Sequence, residues 1–348
     1  ADLPPATSSL EVTDDTGSTL VLLANGAYTH DNTPTLSGLA GPNDTITLYS
    51  NGEVIGTAIA DASGQWEFDT TTLADGTYDF RAVATNAAGE TSESDTISII
   101  IDTAVPVAVD ALQLTNDEGN IPVAVSAGSA TNDTTPVLSG TAEPGSTATI
   151  SDGTTVLGTA TVGQDGSWSF TTPTLTDGSH SLTTTVTDPA GNIGPAPNPF
   201  TSTVDSQPPA AAGDAQLSHT SGSTVVPIVS GGITNGTTPV LSGTAEPGST
   251  VTISDGTNVL GSVTVGANGS WSFTSPALDD GQHSLTTTVT DPAGNTGPAS
   301  VPITFEVDTT APLAVGDLVV TDNVGDLQGQ LASNDFTDDN TPTLSGTA

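Results

Sequence analysis

The sequence repeats itself about every 103 residues, and that period limits its folds more than any local propensity does. "TPTLSG" at Thr33 returns as "TPVLSG" at Thr135 and Thr238, and again as "TPTLSG" at Thr341. Its prolines stand at 34, 136, 239 and 342, in steps of 102, 103 and 103. Trp66, Trp168 and Trp271 keep this register, as do the segment ends Asp102, Asp205 and Asp308. Residues 1–103, 104–206 and 207–308 are thus three successive repeats. Residues 309–348 are the start of a fourth, with only its first two strands, and are expected to be poorly ordered unless something else supports them. Repeats two and three are near copies: "DGSHSLTTTVTDPAGN" faces "DGQHSLTTTVTDPAGN".

Within a repeat, short runs of alternating apolar residues are bounded by Gly and Pro, which is strand-and-turn chemistry. In repeat two, strands are expected near 107–115, 135–142, 147–151, 155–162, 167–172, 179–187 and 197–204. The "SDGT" at 151–154 is a hairpin signal between the third and fourth. Seven strands in about 100 residues predict an all-β chain of tandem immunoglobulin-like β-sandwich domains, arranged as an extended rod. Leu138, Ile150, Trp168, Phe170, Leu182 and Val186 are assigned to one core. The recurring Trp-x-Phe pair reads as a core anchor rather than a sugar-stacking platform. The threonines of "LTTTVTD" read as a solvated strand face rather than an ice-binding array. Neither Cys nor Lys occurs, which removes disulfides and Lys–Asn isopeptide bonds as staples. With no 18-residue apolar run and no signal peptide, the piece reads as a soluble internal segment of a longer chain, without membrane insertion.

Forty Asp and Glu face one basic residue, Arg81, for a net charge of −39. Nucleic acid is excluded as a partner, because phosphate binding needs a basic face. The alternating strand direction sends the loops after the first, third and fifth strands to the pole where the chain leaves. That far pole collects Asp14, Asp15, Asp31, Asp75 and Asp102 in repeat one, and Asp117, Asp133, Asp177 and Asp205 in repeat two. The near pole of repeat two carries Asp188 with Asn192, Glu143 and Asp165, and that of repeat three Asp291 with Asn295 and Glu246. Asp308 ends repeat three as Asp102 and Asp205 end the first two.

Two carboxylates 4 Å apart repel by about 4 kcal/mol at an effective dielectric near 20. Either these acids stay apart in water as ordinary turn residues, or a cation sits among them. All-oxygen donors without His or Cys select Ca2+, and the aspartates named above other than Asp165, twelve in all, are its candidate ligands. In repeat three, Thr220 and Gly236 replace the equivalents of Asp15 and Asp31, so its far-pole cluster is expected to be weak or empty.

The pattern does not read as an enzyme. His180 and His283 take the same, outward position in sibling repeats, while His30 and His219 fall in loops. Nothing assembles a nucleophile, a base and a pocket, and a narrow sandwich offers no cleft for paired-carboxylate hydrolysis.

"TPVLSGTAEPGSTVTI", "DGTNVLG", "NGSWSFT", "DGQHSLTTTVTDPAGN" and "VDTTAP" resemble the Ig-like repeats of giant bacterial surface adhesins. These are the biofilm-associated, Bap-type proteins and the giant adhesins exported by type I secretion. The resemblance spans all three repeats and the fragment. It implies an extracellular, calcium-stiffened stalk that supports adhesion or biofilm formation. Its partners would be neighbouring repeats of the same chain and a host surface, an abiotic surface or another cell. The alternative is a ligand-binding module for carbohydrate or for a like stalk. Repeat one departs from the family pattern at Gly41 and Asn86, which replace a Glu and an Asp.

Overall fold

The computed structural model describes residues 10–119, 121–326 and 328–348, and all regular structure among them is β-strand. No helix there is long and apolar enough to cross a membrane. The chain divides into two compact units. One holds residues up to Gln207 together with Pro292–Asn295, the other Pro208–Asp291 and Thr296–Ala348.

Each full repeat is a two-layer sandwich. In repeat two the first layer runs Val123–Val125, Asp110–Asn116, Val137–Thr141, Ser167–Thr171, antiparallel throughout. The second layer runs Ala130–Thr131, Phe200–Val204, Gly178–Thr187, Thr147–Asp152, Thr155–Thr161. Its outer Ala130–Thr131 strand lies parallel to Phe200–Val204, and the other pairs are antiparallel. The seven expected strands all form, with shifted ends. Val123–Val125 and Ala130–Thr131 were not expected, because two or three residues are too few to show an alternation. Repeat one adds Thr91–Glu93 to the edge of Gly76–Thr85.

The core of repeat two gathers Leu114, Leu138, Ala148, Ile150, Val162, Trp168, Leu182 and Val186. Phe170 is only half-buried; its ring covers Gly158, where a Cβ would come within 2.7 Å of it. Gly261 and Phe273 repeat this contact in repeat three, so the glycine ending "VLG" is a packing requirement.

The strand Gly178–Thr187 corrects two expectations. Its alternation turns His180, Leu182, Thr184 and Val186 inward, so His180 is buried rather than outward, and Thr184 is buried rather than solvated. His283, in the same place in repeat three, is half-buried. The opening of the fourth repeat, expected to be poorly ordered, forms a three-stranded sheet of Gly316–Asp322, Gly329–Leu331 and Thr343–Thr347. Its last strand is exposed along its whole length.

One buried seat differs among the repeats: Ile99, Ser202 and Phe305 occupy it in turn. The Ser202 hydroxyl has no protein partner there. Removing an unpaired buried hydroxyl relieves its desolvation cost. Ser202→Ala is therefore expected to stabilise repeat two by about 1 kcal/mol. Calorimetry should read this as a rise of about 4 °C in that repeat's transition.

Candidate functional site at the poles and linkers

The aspartate before "TPTLSG" closes a corner. Asp31 is fully buried; its Oδ1 accepts the Thr33 amide at 2.8 Å and its Oδ2 the Asp15 amide at 3.3 Å. Pro34 disfavours helical backbone at Thr33, which leaves that amide free for the side chain two residues back. Thr29 links Asp31 to Asp14: its Oγ1 accepts the Asp31 amide at 3.0 Å and donates to Asp14 Oδ2 at 2.6 Å. Asp14 Oδ1 accepts the Thr16 amide and hydroxyl at 3.1 and 2.7 Å. Burial pushes the Asp14 carboxyl up, but the hydrogen bonds from Thr29 and Thr16 outweigh it and hold the net value below the ordinary one.

The fragment repeats this corner, with Thr337 Oγ1 2.6 Å from Asp322 Oδ2. There Asp339 accepts the amides of Thr341 at 2.8 Å and Asn323 at 3.2 Å. The Thr341 amide in particular holds the Asp339 carboxyl below its ordinary value.

Repeats two and three vary the corner. Asp133, also fully buried, keeps both amides, from Thr135 at 2.8 Å and Asp117 at 3.1 Å. Asn116 replaces Asp14, donating to Thr131 Oγ1 at 3.0 Å and Asn132 Oδ1 at 2.7 Å. In repeat three His219 takes that seat, with Nδ1 2.8 Å from Thr234 Oγ1. Gly236 makes room for it, since a Cβ there would lie 2.6 Å from that of His219. Repeat three thus has no carboxylate at either seat.

A second set of aspartates holds the start of each linker. Asp102, Asp205 and Asp308 accept the amides two residues on, from Ala104, Gln207 and Thr310, at 2.9–3.1 Å. Asp75, Asp177 and Asp280 accept those of Thr103, Ser206 and Thr309 from the loop opposite, also at 2.9–3.1 Å. The Ser206 amide and side chain hold the exposed Asp177 carboxyl below its ordinary value.

Repeat two reaches back to this linker. Asp188 accepts the Asn192 amide at 2.9 Å and its Nδ2 at 2.8 Å, and that Nδ2 also donates to the Asp102 carbonyl at 2.8 Å. His30 Nδ1 donates to the Ala190 carbonyl at 3.0 Å. Asn295, within the same unit, makes the matching bond to the Asp205 carbonyl at 2.7 Å. Asp291 is buried.

Nine of the twelve aspartates therefore fall into local groups: Asp14, Asp15 and Asp31 around Thr29; Asp117 on Asp133; Asp75 with Asp102, and Asp177 with Asp205, on linker amides. Among the described residues, no three acidic or imidazole side chains converge as a ready-made metal cage. The donor chemistry still suits a hard cation. All candidate donors are oxygens, and the single basic residue, Arg81, is held by Glu93 at 2.6 Å. Sequence reasoning missed Asp280, which the register of Asp75 and Asp177 marks. It placed Asn192 at the near pole beside the linker without its bond to the Asp102 carbonyl, and it missed the bond of His30 to Ala190, for which no local signal exists.

Tandem sandwiches with capped linkers define a chain of immunoglobulin-like modules. The profile of the family "Bacterial Ig-like domain" matches residues 2–103, 105–206 and 214–309, and the chain belongs to that family. Such repeats are typically structural or binding modules rather than enzymes. No curated protein matches the chain. Among solved structures, fibronectin(III)-like modules of Clostridium thermocellum CbhA are similar at 16% identity and TM-score 0.35, over 56% of this chain and 94% of that one. A BSP domain of a biofilm-associated protein is similar at 17% and 0.21, over 89% and 67%. The ICAM-5 D1–D4 ectodomain fragment is similar at 11% and 0.31, over 93% and 96%. At these values the likenesses carry no functional argument.

Two outcomes follow for the corner. Asp133→Ala strands two amides and is expected to destabilise repeat two by about 3 kcal/mol, and Asp133→Asn by less because one acceptor remains. Denaturant melts of the chain measure both. Because the Asp14 carboxyl is depressed, its contribution is present above its unfolded value near 3.8 and disappears as pH falls through the folded value. Acid unfolding of Asp14→Asn should lack that component.

Proposed function

We propose that this chain is a stalk segment of a large bacterial cell-surface adhesin, stiffened by Ca2+ at its poles and linkers. The observation that carries the reading is the two-aspartate clamp at each linker, in a chain whose one basic residue is engaged elsewhere. Such a clamp gathers negative charge where one module meets the next, and only an outside cation can neutralise it.

The ion's holders would be Asp14, Asp15, Asp31, Asp75 and Asp102 in repeat one, and Asp117, Asp133, Asp177 and Asp205 in repeat two. Asp188, Asp291 and Asp308 would serve the near poles and the last linker. When bound, calcium supplies the positive charge these oxygens lack. Extracellular calcium modules bind with Kd values of about 10⁻⁴–10⁻³ M. At ten times Kd each ion adds about 1.4 kcal/mol to folding. In a low-calcium cytosol the acids repel and the chain stays competent for type I export; outside, it folds and stiffens at the cell surface. The stalk would then present an adhesive end to a host surface, an abiotic surface or another cell.

Small-angle scattering and calorimetry in calcium and in chelator test this. Added calcium should raise the melting temperatures of repeats one and two, with the smallest gain in repeat three, and should increase the maximum dimension. Unchanged dimensions and melting in both conditions sink the calcium reading. Saturable binding on a glycan array would instead assign the segment to ligand capture.

A further inference from the structure

His180 stands between two oxygen acceptors. Its Nδ1 is 2.7 Å from Asp152 Oδ2 and its Nε2 is 2.8 Å from the Thr176 carbonyl. Asp152 Oδ1 meanwhile accepts the Ser181 amide at 2.9 Å. Repeat three has the same arrangement: His283 Nδ1 lies 2.7 Å from Asp255 Oδ2 and Nε2 2.9 Å from the Asp279 carbonyl. A carbonyl and a carboxylate only accept, so serving both needs two N–H groups, which only the imidazolium has.

Repeat one holds the matching carbonyl without a histidine. Tyr78 donates its hydroxyl to the Ala74 carbonyl at 2.9 Å, four residues upstream as in the two histidine corners, and Ser50 stands where the aspartates do. In immunoglobulin-like sandwiches a tyrosine commonly fills this corner. The carbonyl it holds matters because the next residue in each repeat is the aspartate that caps the linker amide: Asp75, Asp177 or Asp280.

We infer that His180 and His283 are charged corner posts in the folded chain, and that losing their proton frees the loop before the linker in repeats two and three but not in repeat one. A neutral ring keeps one N–H. If it stays on the carboxylate, the Nε2 lone pair faces a carbonyl oxygen and the corner opens.

The groups facing each ring are few. His180 meets Asp152, the Thr176 carbonyl and uncharged Ser202 across the strand pair. His283 meets Asp255, the Asp279 carbonyl and carboxylate, and the Phe305 ring at 5.5 Å. Burial alone lowers both histidines, but the hydrogen bonds to aspartate and carbonyl outweigh it and raise them above the ordinary value. Burial likewise pushes Asp152 and Asp255 up, and the bonds from the histidines outweigh it and hold them low. A raised histidine contributes fully below its unfolded value near 6.5, and that contribution is lost as pH rises through the folded value. A depressed aspartate contributes above about 3.8 and loses its contribution on the acid side. The alkaline loss is what separates repeats two and three from repeat one.

Ring-nitrogen NMR of the whole chain from pH 6 to 9, with peaks assigned through His180→Tyr and His283→Tyr, tests this. Both rings should carry two protons at pH 7 and titrate above free histidine. Singly protonated rings at pH 7 would overturn the inference. Calorimetry provides a second readout. The transitions of repeats two and three should fall towards pH 9 in the native chain and become flat in the double tyrosine variant, while repeat one stays flat in both. An unaltered alkaline fall in the double variant also counts against it. If that variant does not fold, the ring titration of the native chain decides alone.

Discussion

A buried aspartate answered by two backbone amides organises the far pole of repeats one and two and recurs in the fragment. Asp31 and Asp133 are fully enclosed, and each holds two amides that would otherwise be stranded at the corner between two sheets. The chain has no lysine and its single arginine is paired with Glu93, so no Lys or Arg serves that corner.

The repeats also show which parts of this solution are interchangeable. Asp14 gives way to Asn116 and then to His219, and each change is matched nearby: Thr131 and Asn132 for the amide, Gly236 for the ring. The linker clamp does not vary in this way. Its two aspartates recur at all three junctions with nearly the same bond lengths. The pole tolerates different chemistry; the exit of the chain does not.

Much of this was legible in the sequence because the repeat supplied its own comparison. The period fixed the register of Trp66, Trp168 and Trp271, and alternation then assigned Leu138, Ile150, Leu182 and Val186 to the core. The threonine-rich solvated face is only half right: Thr183, Thr185 and Thr187 are half-exposed, but Thr184 and His180 look polar while alternation places them inward. His180 belongs there only because Asp152, 28 residues away, is waiting for it. Composition cannot report such a pairing. The short strands at Val123–Val125 and Ala130–Thr131 escaped for a different reason: pairing with longer neighbours, not their own pattern, makes them strands.

The Ile99, Ser202 and Phe305 seat has a consequence for how the chain assembles. Adjacent modules this alike are prone to exchange strands during folding, a known failure of repeat proteins. Their last strands differ at a residue that enters the core. A phenylalanine-bearing strand borrowed by repeat two would have to force a ring into a hole shaped for serine, and the reverse loan would leave a void. Dissimilar plugs in otherwise similar sockets thus act as a proofreading device, penalising the wrong partner before a swapped chain can settle.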